Sequence, residues 1–308
     1  MIPAYVWVAM AFSPACLSAY ALVLGLLWRG RNAEPFCNPV YKLFTLIGCC
    51  DLYMQLYGSA YKVLGFLLTG PPFGAYAAYA VYYVWAAAFL GAYWLHLAVA
   101  INRLTALAFF ARYDALWRGW RPFGLIAVPW LASTSLMVGL YWPVLSLQLN
   151  ASPPNFLDAQ FDLRSPRAYL AFRLEVLIMQ TINACSLLAY VGALLALRGH
   201  LKSARSAPLR SAKQRMRLEV KLLLVGVAIA STQLLLYLSA VSDYYLLGFP
   251  LLNLVIFVYI SINPVIYFLV DGSVKKAVQT LLCGKMSTTT TTVRPANAKA
   301  NATGAAND

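Results

Sequence analysis

Residues 75–101 read AYAAYAVYYVWAAAFLGAYWLHLAVAI and are followed by Asn102-Arg103. This stretch contains no Asp, Glu, Lys or Arg, and about 20 apolar residues suffice to cross the hydrocarbon core of a bilayer as a helix. The whole chain of 308 residues is 61% hydrophobic and 11% charged, whereas soluble domains carry about 25% charged residues. The composition therefore excludes an ordinary soluble domain and predicts a membrane protein.

Six further apolar stretches are long enough to span the membrane, and the connections between most of them are short. The chain shows no repeated half, so the inverted repeats of many transporters are missing. We predict an all-α membrane protein, a seven-transmembrane helix bundle formed by residues 1–283, and a disordered cytoplasmic tail over 284–308. The predicted spans are 3–28, 40–67, 75–101, 122–147, 168–197, 219–242 and 249–270.

The basic residues fix the predicted orientation of the bundle. Twenty of the 24 Lys and Arg residues lie on one side together with 5 acidic residues, and the other side carries four residues of each sign. Because cytoplasmic loops are enriched in Lys and Arg, the basic side is predicted to be cytoplasmic and the N-terminus extracellular. The net charge of +14 sits between apolar runs, which predicts a lipid bilayer as partner and no nucleic acid.

The sequence lacks the residue patterns of a catalytic or metal site. It contains only two His, at positions 96 and 200, and no HExxH, paired-Cys, Walker or Gly-x-Ser-x-Gly motif. None of the six Cys falls in a predicted outer loop, so no extracellular disulfide is expected. We therefore predict that the protein is not an enzyme and that it uses no cofactor and no metal.

Asp51 is the only acidic residue predicted at mid-membrane, where an ionisable side chain is costly and marks a functional position by default. Lys62 follows three helical turns later and points the same way. Two interpretations of Lys62 stay open, since it either lines a ligand pocket or extends to the outer interface.

Aromatic residues form a stripe at helical spacing in the third span, at Tyr82, Trp85 and Phe89. Such a stripe either packs in the core or lines a ligand cavity that opens to the outside. In the second interpretation, Asn253 and Phe257 of the last span complete the pocket.

The last span contains Asn263-Pro264-Val265-Ile266-Tyr267. Pro264 removes a backbone hydrogen bond and is predicted to bend the helix near its inner end, where Asn263 and Tyr267 flank the bend. Residues 272–283 then alternate apolar and basic positions as an amphipathic helix on the inner leaflet would. Cys283 at its end is either palmitoylated or unmodified.

An N-glycosylation sequon, Asn150-Ala151-Ser152, lies in the long outer loop. Asn150 is therefore a candidate acceptor, and Pro153 directly after the sequon argues against efficient use.

Seven spans, Asp51, Asn102-Arg103 at the end of the third span and the Asn-Pro-x-x-Tyr motif together resemble a rhodopsin-like G-protein-coupled receptor over residues 1–283. The chain departs from that family at four points. Asn102 stands where the family has an acid, span six has no Pro, span one has no Asn, and the disulfide to the second outer loop is missing. These departures, with Ile101-Asn102-Arg103-Leu104-Thr105-Ala106, resemble nematode serpentine chemoreceptors of the class gamma and class V group.

The resemblance implies chemoreception at the plasma membrane, in sensory neurons of a nematode, with a small-molecule ligand outside and a heterotrimeric G protein on the cytoplasmic side. It implies an activation switch made of Asp51, Asn102, Arg103, Asn263, Pro264 and Tyr267.

Two ligand classes are argued against by single positions. Residues 249–270 contain no Lys for a retinal Schiff base, and Trp85 occupies the position where an amine receptor would carry Asp. We therefore expect neither retinal nor a biogenic amine. The alternative function is a ligand-gated seven-helix channel or transporter. The channel class considered has a cytoplasmic N-terminus, opposite to the charge distribution here.

Overall fold

A computed structural model gives the fold of the chain and describes most of its helices. The described residues are 4–32, 36, 38–57, 74–109, 112–118, 121–141, 145–149, 157–161, 166–203, 220–221, 223–235, 238, 262–263, 265–266 and 272–282. Within them, helices follow one another along the chain and are interrupted by one pair of strands.

The elements are numbered in chain order. They are α1 (Ala4–Gly30), α2 (Pro39–Leu56), α3 (Gly74–Ala108), α4 (Tyr113–Leu116), α5 (Arg121–Tyr141), β1 (Leu145–Leu149), β2 (Leu157–Phe161), α6 (Pro166–Ser203), α7 (Leu223–Leu235) and α8 (Gly272–Leu282). The first three helices, α5, α6 and α7 correspond to the first six predicted spans. Of the seventh span, residues 262–263 and 265–266 are described, and they are helical.

Three described helices are long and apolar enough to cross a membrane, namely α1, α3 and α6. Shorter apolar helical segments lie at Ile126–Leu140 in α5 and Leu223–Leu235 in α7. Large apolar side chains on α5 and α6, such as Val128 and Leu188, are each 70% exposed. An exposed apolar face of this kind suits contact with lipid rather than with water.

The fourth predicted span ends earlier than the sequence suggested. Helix α5 stops at Tyr141, and residues 145–149 form strand β1, which pairs antiparallel with β2 from Leu145↔Phe161 to Leu149↔Leu157. Leu145-Ser-Leu-Gln-Leu149 alternates apolar and polar residues with the period of a strand. The predicted span 122–147 is therefore wrong at residues 145–147, and the connection between α5 and α6 contains a pair of antiparallel strands.

Helix α3 packs against α2, α5 and α6 and so lies at the centre of the bundle. The indole N–H of Trp130 in α5 donates to the Ala87 carbonyl at 2.8 Å, and a Cβ at Gly91 would meet the Trp130 ring at 3.0 Å. A larger residue than Gly at position 91 would require the Trp130 ring to move by a few tenths of an ångström. Helix α3 continues to Ala108, so Asn102-Arg103 lies inside the helix and not at its end.

Helix α8 has the amphipathic character that the sequence predicts. Val274 and Val278 are buried in the same cluster as Leu27 of α1, while Lys275 and Lys276 are exposed. The apolar face therefore docks on α1, and the basic face is available to anionic headgroups.

Candidate functional site

Asp51 joins three spans through one carboxylate oxygen. Its side chain is fully buried, and Oδ2 accepts a hydrogen bond from the Tyr20 hydroxyl at 2.9 Å and another from the Asn263 amide at 2.7 Å. Tyr20 lies on α1 and Asn263 in the seventh span, 212 residues after Asp51. Any relative movement of the first, second and seventh spans must therefore stretch or exchange these bonds.

The Asp51 cluster also contains unsatisfied oxygens. Oδ1 of Asp51 and Oδ1 of Asn263 are buried and have no hydrogen-bond partner among the residues that the structure describes. Buried polar atoms are normally paired, so these two oxygens can accept a new partner when the helices shift. Across the described part of the chain, no group of three or more His, Cys, Asp or Glu side chains could hold a metal ion.

A second polar contact between α1 and α2 lies one helical turn beyond Asp51. The Gln55 amide donates to the Ser13 hydroxyl at 3.1 Å, and both side chains are buried. Ser13 and Tyr20 are seven residues apart, which places them on the same face of α1 two turns apart. The sequence analysis noted that span one has no Asn, but it missed that Tyr20 supplies the hydrogen-bond donor to Asp51. The seven-residue spacing of Ser13 and Tyr20 was the signal that could have found it.

Aromatic rings form a continuous stack in the N-terminal half of α3. Trp85 stacks on Phe89 with ring centroids 5.4 Å apart and 6° between planes, and Phe89 meets Tyr93 edge-on at 5.2 Å. Tyr57, at the end of α2, adds a fourth ring 5.7 Å from Trp85. Tyr93 continues the helical stripe by one turn, as the helical spacing predicts, whereas the sequence analysis did not single out Tyr57.

Burial increases along this stack from Trp85 inward. Trp85 is partly exposed, Phe89 is 7% exposed and Tyr93 is 1% exposed. Met179 and Ile182 of α6 belong to the same buried cluster as Phe89 and Tyr93. Tyr93 and Phe89 are therefore core residues, whereas Trp85 lies where the packing is less complete, and the ligand cavity stays a prediction.

Arg103 is buried inside the bundle near the C-terminal end of α3. The side chains of Arg103 and Asn102 are each 0% exposed, and the guanidinium donates to the Asn102 amide oxygen. A carboxylate in this position would give a charge-assisted ion pair, whereas Asn102 gives a bond to a neutral amide. The pairing is therefore weaker than an Asp–Arg or Glu–Arg pair would be.

Asn102 is hydrogen-bonded to the connection between α3 and α5. Its amide donates to the Tyr113 hydroxyl at 3.1 Å, and this hydroxyl donates to Oδ1 of Asn38 at 3.3 Å. Asn38 is the N-cap of α2 and also accepts from the Val40 backbone N–H at 3.1 Å. The sequence analysis missed Asn38 and Tyr113, although Asn followed by Pro at the start of an apolar run is a helix N-terminus signal.

Tyr190 connects this region to α7. A Cβ at Gly226 would meet Cε1 of Tyr190 at 2.7 Å, so the ring lies directly against the backbone of α7. Tyr190 is also within electrostatic range of Arg103. Helices α3, α6 and α7 therefore meet at Tyr190 and Arg103.

Several residues that the sequence analysis selected lie outside the described residues, and Tyr82 is described only as part of α3. These selected residues are Lys62, Asn150, Asn253, Phe257, Pro264, Tyr267 and Cys283.

Comparison with solved structures identifies the class of fold. The chain is similar to the crystal structure of squid rhodopsin with a TM-score of 0.70 and 13% sequence identity, over 93% of this chain and 88% of that chain. The predicted seven-transmembrane helix bundle is therefore confirmed as a rhodopsin-like fold. No protein-family model and no curated protein matches the sequence.

Proposed function

We propose that this protein is a chemosensory receptor that binds a small molecule from outside the cell and activates a heterotrimeric G protein. The observation that carries the proposal is the buried Arg103 near the C-terminal end of α3, whose guanidinium donates to the neutral amide oxygen of Asn102 within a rhodopsin-like bundle. A hydrogen bond to a neutral amide is weaker than one to a carboxylate, so less free energy opposes its exchange when the neighbouring helices separate.

The pocket of the proposed receptor lies at the outer end of the aromatic stack. A ligand that contacts Trp85 and Phe89 would shift the population toward the helix arrangement in which those contacts are better. The Asp51 cluster then transmits the shift, because it joins the first, second and seventh spans between the pocket and Arg103. Pro264 and Tyr267 belong to the same proposed switch, and Asn253, Phe257, Lys62 and Tyr82 to the proposed pocket.

The proposed setting is the plasma membrane of nematode sensory neurons, with an extracellular N-terminus. The charge distribution supports the orientation, and the Ile101–Ala106 motif supports the serpentine chemoreceptor group. Asn150 is the proposed glycosylation site and Cys283 the proposed palmitoylation site of this receptor.

The test is nucleotide exchange on a reconstituted heterotrimeric G protein, with the receptor in lipid nanodiscs. We expect the wild-type receptor to accelerate exchange and Arg103→Ala to abolish most of the acceleration. Arg112→Ala and Arg118→Ala are matched controls, because both arginines are exposed on the inner side and should leave most of the activity. Unchanged exchange with Arg103→Ala would refute the assigned role of Arg103, and ligand-evoked current without G protein would favour the channel alternative.

A further inference from the structure

Glu175 is an acidic residue on the α6 face that packs against α3. It precedes Met179 by four residues and Ile182 by seven, which places the three side chains on one face of the helix. Met179 and Ile182 are buried in the cluster that contains Phe89 and Tyr93. Glu175 therefore faces the aromatic stack, about 6 Å nearer the outer end of α6 than Met179.

Electrostatics and burial agree with this placement. Glu175 is half-buried, and its charge acts on Tyr93 of α3. Arg173, two residues earlier on α6, is exposed instead, and its guanidinium lies 5.3 Å from the centre of the Tyr169 ring. The acidic and basic residues of this helix turn therefore point to different sides, with the negative charge toward the bundle.

Aromatic faces and a carboxylate are the two groups that bind organic cations. The ring quadrupole attracts an ammonium group within about 6 Å of the ring centre, most strongly for Trp. A carboxylate adds a charge-assisted contact and offers about four lone-pair sites. Trp85, where the stack begins to be exposed, and Glu175 supply both groups on facing helices.

We propose that the pocket recognises an organic cation, an alkylamine or quaternary ammonium compound, whose charged group lies between the Glu175 carboxylate and the exposed part of the Trp85 ring. This inference rests on the proposed receptor function and names its ligand class. It reverses the expectation drawn from position 85, because the carboxylate comes from α6 and not from α3. Trp85 then contributes its π face at the position where an acid would otherwise bind the cation.

The test compares cations with neutral molecules of the same shape on full-length receptor in nanodiscs. The pairs are choline with 3,3-dimethylbutan-1-ol, and phenethylamine with 2-phenylethanol. Thermal unfolding measures binding without a G protein, because a ligand that binds only the folded state raises the Tm. We expect at least one cation to raise the Tm at concentrations where its neutral partner has no effect.

Variants of the receptor separate charge recognition from general stability. Glu175→Gln keeps the shape and removes the charge, and we expect it to weaken cation binding about tenfold to a hundredfold. Arg173→Gln, on the same helix turn, also changes the net charge by one and should leave binding unchanged. Trp85→Leu should weaken cation binding while keeping an apolar side chain. If Glu175→Gln does not fold, the comparison of each cation with its neutral partner on the wild-type receptor decides alone.

Equal stabilisation by both members of each pair, no stabilisation by either cation, or full cation affinity in Glu175→Gln would overturn the inference. Failure of the receptor function gives a different result. Cation binding without any nucleotide exchange would contradict the proposed function and leave the cation site intact. Exchange driven only by neutral molecules would support the function and contradict the cation site.

Discussion

At the scale of single residues, Asp51 receives two hydrogen bonds from two other spans, and Tyr20 is one of the donors. A buried acceptor that loses its donor is destabilised, because it has given up its hydrogen bonds to water. The two hydrogen bonds to Asp51 therefore help to hold α1 and the seventh span against α2. The free energy that these two bonds contribute can be tested one donor at a time.

Tyr20→Phe removes one donor from Asp51 and leaves the ring in place. We expect the free energy of unfolding to fall by about 1–3 kcal/mol, because a buried acceptor loses a partner. Thermal unfolding in nanodiscs gives the Tm of each variant. Ser18→Ala is the control on the same helix, because Ser18 is exposed and bonds only its own helix through the Pro14 carbonyl. Equal Tm values for wild type and Tyr20→Phe would contradict the role given to Tyr20.

Asn102→Asp places a carboxylate beside Arg103. A charge-assisted bond is stronger than the present one, so the resting arrangement should be more stable and basal nucleotide exchange should fall. The Tyr113 hydroxyl can still donate to the new carboxylate. Ala115→Asp adds the same charge at an exposed position of α4 and should leave basal exchange unchanged. An increase in basal exchange with Asn102→Asp would show that the neutral Asn102 does not weaken the resting state.

The sequence identified Asp51, Asn102, Arg103 and Asn263, but not the partners Tyr20 and Tyr113. The first four stand out because polar or charged residues are rare in apolar helices. A tyrosine in such a helix is ordinary, and its partner depends on how two helices are rotated against each other. Tyr20 and Asp51 are 31 residues apart, and no local pattern relates them.

At the scale of elements, the contact between α6 and α7 depends on a glycine. Tyr190 lies against Gly226, and a Cβ there would meet the ring at distances that real Cβ atoms do not show. Close contact of ring and backbone lets α7 approach α6 in a span that has no proline. The sequence predicted both helices, but only the packed structure shows why position 226 requires glycine.

Gly226→Ala is expected to destabilise the protein by about 1–3 kcal/mol, because an extra methyl group in a close-packed contact forces the helices apart. The Tm is the readout. Gly199→Ala on α6 is the matched control, since a Cβ at Gly199 meets nothing within 4 Å and alanine favours a helix by about 1 kcal/mol. A stable Gly226→Ala receptor would mean that Tyr190 does not pack against α7.

Helix α4 makes side-chain contacts with α3 that the sequence pattern did not predict. Trp117 donates from its indole N–H to the Thr105 hydroxyl at 2.8 Å, and Tyr113 bonds Asn102. These two contacts hold a four-residue helix against α3, although so short a helix has little stability of its own. The sequence analysis treated this connection only as a carrier of positive charge.

Tyr113→Phe should release α4 from α3 without changing the rest of the bundle. We expect faster hydrogen exchange at the α4 amides, because their protection depends on docking to α3. Hydrogen exchange with mass spectrometry measures this directly, and the α5 peptides serve as the internal reference. Unchanged exchange in α4 would show that the Trp117–Thr105 bond alone holds the helix.

At the scale of the whole molecule, the proposed function depends on the direction in which the bundle crosses the membrane. The seven-helix fold is rhodopsin-like, but the fold alone does not determine which end of the bundle faces the cytoplasm. Apolar runs predicted the helices because hydrophobicity acts within one segment, and positive charges predicted the orientation because they lie between segments. The strand pair between α5 and α6 was missed because apolar residues continue from the helix into β1. The composition therefore does not show where the helix ends.

Topology is therefore the measurement that tests the central claim most directly. One epitope tag is placed before Met1 and another near Ser206, and antibody binding is compared on intact and permeabilised cells. The account predicts that the Met1 tag is labelled on intact cells and the Ser206 tag only after permeabilisation. The opposite labelling would place Arg103 on the outer side of the membrane and contradict coupling to a cytoplasmic G protein.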